Sequence, residues 1–132
     1  MNPMLDWLSA PALGWLVRAG MAAVFLFSAW EKTWYWQDGL AEVRNKRLPL
    51  PRLALGMTIA VQGAGGLAIL CAWHLALGAL ALAGFTLAAT FLFHGFWREA
   101  GAKQRLQLTT FLEHIALSAG LVWLAATAGV RP

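Results

Sequence analysis

This 132-residue chain has few cysteines and few charged residues. A single cysteine, Cys71, excludes an intrachain disulfide, a Cys-x-x-Cys redox motif and a multi-cysteine zinc or iron–sulfur site. Charged residues make up only 12% of the chain, whereas a soluble domain has about 25%. A chain with so little charge is neither disordered nor an ordinary soluble enzyme core.

What the sequence has in excess is apolar surface. Apolar residues account for 60% of the chain, mean hydropathy is +0.61, and eight residues are Trp. These values are typical of a membrane protein. The net charge of +4 does not indicate nucleic-acid binding, because the basic residues lie between long apolar runs and form no basic face on a soluble body.

Four runs are long and apolar enough to cross a bilayer, which takes about 20 residues. They cover approximately 12–36, 53–73, 75–95 and 109–129. None alternates apolar and polar residues as a membrane β-strand does. The sequence therefore predicts an all-α fold, an integral membrane antiparallel four-helix bundle that forms one domain over residues 1–132. A charged loop, 37–52, is expected to be polar, with one or two interfacial helical turns ended by prolines.

The distribution of basic residues predicts the orientation. Because Trp73-His74 allows only a tight hairpin, both longer connections lie on one side, here called the loop side; the other is the terminal side. Eight of the ten Lys and Arg residues fall on the loop side, which the positive-inside rule makes cytoplasmic, with both termini outside. The eight Trp divide equally between the two sides, as interfacial belts do.

Polar residues within the spans are the candidate functional groups, since each is costly in hydrocarbon. Thr86, Thr90 and His94 follow each other in steps of four and share one helix face, as do Ser28 and Lys32. Arg18 lies fourteen positions before Lys32, close to the same face. Gln62 lies near the middle of its span, before a Gly65-Gly66 pair that is expected to let a neighbouring helix approach closely.

Lys32, His94 and His114 are expected to meet just inside the loop-side interface, with Glu31 and Glu113 near them. Lys, His and Gln side chains can donate hydrogen bonds to quinone carbonyls, and His exchanges protons near neutral pH. The pattern thus predicts a quinone or lipid-soluble ligand site. The two histidines also permit a haem, copper or zinc site, although no third strong ligand is evident and no metal is predicted. Simple snorkelling of Arg18 and Lys32 to headgroups is a further alternative.

Six motifs in order along the chain resemble the DoxX family over residues 13–128. They are LVRAG at 16–20, FLFSAWEK at 25–32, RLPLP at 47–51, VQGAGGL at 61–67, FHGFW at 93–97 and FLEHIAL at 111–117. The resemblance implies a small four-helix membrane protein, with Arg18, Ser28, Lys32, His94 and Trp97 at family positions. The family usually has Glu where Gln62 stands and Asn where His114 stands.

Namesakes of that family are associated with quinone-linked oxidation, including the small subunits of thiosulfate:quinone oxidoreductase. The resemblance therefore implies a membrane subunit of a quinone-linked oxidoreductase system in a bacterial or archaeal inner membrane. Candidate ligand contacts are Arg18, Ser28, Lys32, Gln62, Thr90, His94, Trp97 and His114. Whether the chain is itself an enzyme stays open.

Two other functions fit the same sequence. One is a non-catalytic membrane anchor or assembly subunit for a redox partner. The other is a small homo-oligomeric transporter or channel, with Gln62 and the threonines facing a pore. In every case the bilayer is one partner and nucleic acid is not.

Overall fold

The computed structural model describes residue 3 and residues 11–128, and there the chain is helical and without strands. The helices are α1 (Pro11–Trp34), α2 (Trp36–Asn45), α3 (Pro51–Leu70), α4 (Leu75–Phe93) and α5 (Gly101–Ala128), with a 3₁₀ turn, Phe96–Arg98, before α5. The predicted all-α fold with four long helices is confirmed. The last helix begins at Gly101, eight residues earlier than expected from its apolar run.

Four of these helices have the length and apolarity of membrane spans: α1, α3, α5 and α4 with its 3₁₀ extension. At 1.5 Å per residue, α1 is about 36 Å long, enough to cross a hydrocarbon layer of about 30 Å. Only 11% of the most apolar stretch of α5 is buried against the rest of the chain. So large an exposed apolar surface is unfavourable in water, and the outer faces of these helices are therefore covered by lipid.

Close approach at glycines sets the helix packing. Helix α3 packs on both α1 and α4, and α4 packs on α5. A Cβ at Gly66 would lie 2.9 Å from the Leu26 side chain of α1, and one at Gly65 would lie 2.7 Å from Leu82 of α4. The expected role of the Gly65-Gly66 pair, to let neighbouring helices come near, is confirmed.

The hairpin between α3 and α4 is a Schellman turn without its usual glycine. The Trp73 N–H donates to the Ala68 carbonyl at 2.9 Å, and the Ala72 N–H donates to the Ile69 carbonyl at 3.2 Å. Ala72 has the left-handed φ of 55° that this turn requires. The tight turn makes α3 and α4 antiparallel.

The larger buried core lies in the terminal-side half of the bundle. Its buried core joins all four long helices and consists of Ala22, Phe25, Ile69, Ala79, Leu82, Ala83 and Leu121. A second, smaller core lies on the loop side, where Leu40 and Val43 of α2 pack against Leu55 of α3. Between these two cores the helices separate.

Helix α2 occupies most of the segment 37–52, which was expected to be a polar loop with one or two interfacial helical turns. It runs for ten residues, nearly three turns, and ends at Asn45, before Pro49 and Pro51. Pro51 instead starts α3, where its missing N–H costs nothing. The apolar spacing of Leu40 and Val43 gives α2 a buried face, and packing on α3 keeps it helical.

Candidate functional site

A cavity of about 360 Å³ fills the loop-side half of the bundle between the four long helices. Helix α2 closes its loop-side end through Gly39, Glu42 and Val43. The polar side chains that line this loop-side cavity are Ser28, Lys32, Glu42, Thr58, Gln62, Thr86, His94 and His114. Five of the eight predicted ligand residues, namely Ser28, Lys32, Gln62, His94 and His114, are therefore brought together.

The rest of the cavity wall is apolar, and part of it faces lipid. Phe25 lies at its inner end and belongs to the terminal-side core, so that end is closed. Val24 and Leu92 line the cavity yet are 49% and 45% exposed. These exposed residues lie on α1 and α4, two helices that do not pack closely on each other, so the cavity opens toward lipid between them.

The two histidines lie against each other inside the cavity wall. The rings of His94 and His114 are 4.9 Å apart between centroids, with planes at 71°. A span that began at residue 109 would place His114 one or two turns into the last helix. His114 instead lies more than three turns into α5, because α5 begins well before the level at which α4 ends. The predicted meeting of the two rings is nevertheless what the structure shows.

A buried threonine fixes the tautomer of His114. The Thr90 hydroxyl donates to the Thr86 carbonyl at 2.6 Å, and the same oxygen lies 3.2 Å from His114 Nδ1. Since a hydroxyl has one proton, Thr90 must accept from His114, whose Nδ1 then carries the hydrogen. Thr90 is fully buried and does not line the cavity, so its role is to orient His114.

Gln107 holds His94 in the same way. Its Oε1 lies 2.9 Å from His94 Nδ1, and because a carbonyl oxygen only accepts, the ring nitrogen donates. Sequence reasoning missed Gln107 because the last span was expected to begin at residue 109. The signal that could have found it is its spacing of seven residues from His114, two helical turns on one face.

Two polar atoms in the cavity wall are buried without a hydrogen-bond partner in the part of the chain that the structure describes. They are Gln62 Oε1 and Thr86 Oγ1. Their side chains are only 7% and 5% exposed. An unpaired buried polar atom costs about 1–3 kcal/mol, so these two positions lower the stability of the bundle.

Lys32 lies at the loop-side end of the cavity, where its Nζ donates to Ser28 Oγ one turn earlier. This contact matches the predicted spacing of four. Glu42 and Thr58 also line this end but were not among the predicted residues. Glu42 was missed because it lies on α2, which was expected to be a loop; Thr58 gave no signal, and its hydroxyl bonds its own helix at Ala54.

Arg18 and Trp97 do not join the other candidates. Arg18 lines a separate cavity of about 940 Å³ on the terminal side, with His74 and Trp123. Trp97 is exposed on the 3₁₀ turn and packs against Phe91, Phe96 and Phe111. Glu31 and Glu113, expected near the cluster, lie on exposed faces outside the cavity lining.

The histidine pair does not by itself make a metal centre. Among residue 3 and residues 11–128, no three or more His, Cys, Asp or Glu side chains come close enough to share an ion. A stable site for zinc or copper takes at least three protein ligands in most proteins. In the part of the chain that the structure describes, a metal ion on His94 and His114 would find no third His, Cys, Asp or Glu ligand.

Comparison with known proteins agrees with this fold. The family model for DoxX matches residues 14–95, from α1 to the end of α4. The chain belongs to the DoxX family. It is also similar to "Inner membrane protein YqjF" of Escherichia coli (strain K12), with 30% identity over 114 residues, which are 85% of this chain and 81% of the relative. No solved structure matches the chain.

The matched segment contains most, but not all, of the loop-side cavity of this DoxX-family protein. Ser28, Lys32, Gln62, Thr86 and His94 lie within residues 14–95. His114 and Gln107 lie beyond it on α5. The histidine partner of His94 thus comes from the part of the bundle that the family model does not reach.

Proposed function

We propose that the protein is an integral membrane subunit of a quinone-linked oxidoreductase system, and that its loop-side cavity holds the quinone or another lipid-soluble compound. The cavity carries this proposal. It joins an apolar wall and an opening toward lipid with a few polar side chains, among them a histidine pair. Ligand sites in proteins share this design of a mostly apolar pocket with a few polar groups.

The size of the cavity suits a single small ring. Its volume of about 360 Å³ is at the lower end of the range of roughly 300–1,000 Å³ for ligand pockets. A headgroup fits within it, and an isoprenoid tail would extend through the opening between Val24 and Leu92 into the bilayer. That arrangement keeps the tail in lipid and the polar ring in the protein.

The polar residues divide between the two ends of such a ring. Lys32 Nζ, at the loop-side end, supplies hydrogen-bond donors, and Gln62 and Thr86 lie deeper in the wall. A bound quinone would supply two-electron, two-proton redox chemistry. The chain's own part is to bind and orient the ring, exclude water with Phe25 and Leu55, and accept protons at the histidine Nε2 atoms.

The basic loop side favours a soluble redox partner. Arg44, Lys46, Arg47 and Arg52 are all exposed around α2, directly below the cavity. If the loop side is cytoplasmic, as the positive-inside rule predicts, an acidic partner that carries flavin, haem or metal would dock there. This surface also supports the second candidate function, a non-catalytic anchor for that partner.

The channel alternative gains no support from the burial pattern. Gln62, Thr86 and Thr90 are buried between helices of one chain. A pore between subunits needs its polar residues on the outer surface of each subunit.

Ligand titration tests the proposal. Purified protein in mild detergent is titrated with a short-chain ubiquinone and a short-chain menaquinone, and binding is followed by isothermal calorimetry. We expect saturable binding of at least one, with affinity lowered about tenfold in His114→Ala, because a hydrogen-bonding group in the wall is lost. His74→Ala, an exposed histidine on the opposite side, is the matched control and should bind like wild type.

Absence of saturable binding to wild type would overturn the quinone proposal. Equal affinity for wild type and His114→Ala would exclude this cavity as the site. Purification in mild detergent separates the two candidate functions: a stoichiometric flavin-, haem- or metal-containing partner without quinone binding by this chain is the result that favours the anchor.

A further inference from the structure

We infer that the second cavity of the bundle, on the terminal side, binds the anionic headgroup of a membrane lipid. The ligand chemistry is a phosphate group that carries apolar chains. This inference is independent of the proposed function, because the terminal-side cavity shares no lining residue with the loop-side cavity.

The terminal-side cavity lies between α1, the start of α4 and the last turns of α5. Its volume of about 940 Å³ is near the upper end of the range of roughly 300–1,000 Å³ for ligand pockets. Most of its wall is apolar. Val17 of α1 and Trp123 of α5 both line it and are exposed, and these two helices do not pack closely on each other. The cavity therefore opens toward lipid between them.

Arg18 is the one fixed charge among the described residues that line this cavity. The other polar side chains there are His74 and Thr127, and neither Asp nor Glu is among them. The Thr127 hydroxyl donates to the Trp123 carbonyl, and the His74 ring packs on Trp73. Within residues 11–128, Arg18 forms no ion pair. The wall thus carries a positive charge that no carboxylate of these residues neutralises.

The depth of Arg18 makes a lipid phosphate its natural counter-ion. Arg18 lies seven residues after Pro11, about 10 Å along the axis from the first residue of α1. A charge inside the hydrocarbon edge is costly unless it is paired, and a long Arg side chain extends toward the headgroup level. The phosphates of the terminal-side leaflet lie at that level. A guanidinium binds a phosphate through two parallel N–H bonds.

The start of α4 brings further hydrogen-bond donors to the same wall. Residues 75–77 are the first three of that helix, and all three line the cavity. Their N–H groups precede the first intrahelical bond, which runs from the Gly78 N–H to the His74 carbonyl. No side chain caps this end, and its first turn has no acidic residue. The positive end of a helix and Arg18 therefore border one cavity, and both favour an anion.

Short-chain lipids with different headgroups test this inference. The full chain in a neutral detergent is titrated by isothermal calorimetry with dihexanoyl phosphatidylglycerol, dihexanoyl phosphatidylcholine and glycerol phosphate. We expect saturable one-to-one binding of the phosphatidylglycerol, about tenfold tighter than that of the phosphatidylcholine, whose choline cation would lie near Arg18. Glycerol phosphate has the anion without the chains, so it should bind at least about tenfold more weakly than the phosphatidylglycerol.

Two variants of the cavity wall locate the binding. Arg18→Gln removes the charge and should weaken phosphatidylglycerol binding about tenfold. Ala76→Asp adds a carboxylate in the first turn of α4, where it favours the helix but repels an anion, so the same direction is expected without loss of folding. Lys46→Gln removes one exposed positive charge on the loop side and is the matched control, which should bind like wild type. Circular dichroism and gel filtration establish that the variants fold.

The outcomes that would overturn the inference are distinct. Without saturable binding of phosphatidylglycerol to wild type, Arg18 only reaches the bulk headgroups and the cavity is no site. Equal affinity for the two lipids would exclude recognition of charge. Unchanged affinity in both Arg18→Gln and Ala76→Asp would exclude this cavity. Glycerol phosphate bound as tightly as the lipid would make the ligand a soluble phosphate, against a lipid headgroup.

Discussion

At the scale of single residues, Thr90 connects two helices through one hydroxyl. It donates to the backbone of α4 and accepts from His114 of α5. In Thr90→Val, His114 Nδ1 loses its acceptor, so we expect its ring to become a mixture of tautomers and stability to fall by about 1 kcal/mol. Nitrogen-15 chemical shifts of labelled histidine report the tautomer.

Thr110→Val is the control for that experiment, because the Thr110 hydroxyl bonds only the Leu106 carbonyl of its own helix. His114 should keep its Nδ1 hydrogen in this variant. A His114 ring that stays in one tautomer in Thr90→Val would contradict the role assigned to the threonine.

A second residue-scale prediction concerns Ala72, which adopts a φ of 55° at the end of α3. That conformation costs an alanine about 1–2 kcal/mol and a glycine almost nothing. Part of the gain is offset by the larger freedom of glycine in the unfolded chain. We expect Ala72→Gly to stabilise the protein by about 0.5–1 kcal/mol in denaturant unfolding followed by circular dichroism.

The matched control for Ala72 is Ala81→Gly, an exposed position inside α4, which should destabilise by about 0.5–1 kcal/mol because a helix interior disfavours glycine. Equal losses in the two variants would show that the turn tolerates alanine without strain.

At the scale of elements, the crossing of α3 and α4 depends on Gly78. A Cβ there would lie 2.8 Å from the Ala68 Cβ and 3.4 Å from the Gly65 carbonyl oxygen. Backbone cannot move aside as a flexible side chain can, so we expect Gly78→Ala to destabilise by about 1–3 kcal/mol, measured as the thermal midpoint in detergent. On the same helix, Gly84 has nothing within 4 Å, and Gly84→Ala should not lower the midpoint.

At the scale of the whole molecule, the one cysteine reports orientation. Cys71 is exposed at the terminal-side end of α3. If the loop side is cytoplasmic, a membrane-impermeant maleimide should label Cys71 in spheroplasts. Lys46→Cys in a Cys71→Ser background should be labelled only after the membrane is permeabilised. The opposite labelling pattern would reverse the predicted orientation.

Local spacing in the sequence predicted much of this molecule. Run lengths gave four long helices, and steps of four placed Ser28 beside Lys32 and Thr90 on the face of His94. Sharing a helix face does not place two residues at the same depth in the membrane. Arg18 and Lys32 share a face of α1, but fourteen residues separate them by about 21 Å along the helix axis. Arg18 therefore lines a different cavity.

Other differences come from tertiary packing. Trp97 lies beyond the end of α4, where the 3₁₀ turn carries it to the outside of the bundle. Helix α2 is stabilised by its contact with α3, which the sequence of α2 alone does not reveal. Its polar composition therefore indicated a loop, and Glu42 was not recognised as a residue of the cavity wall. No pattern local to α4 indicates that His94 bonds a glutamine on another helix.

The loop-side cavity is a chamber that ends within the bundle. Phe25 and the core behind it close its inner end, and the opening beside Val24 leads to lipid. A molecule that enters must leave by the same mouth, so it can be exchanged but not passed across the membrane. Any exchange with the cavity must therefore take place in the loop-side leaflet, on one face of the membrane.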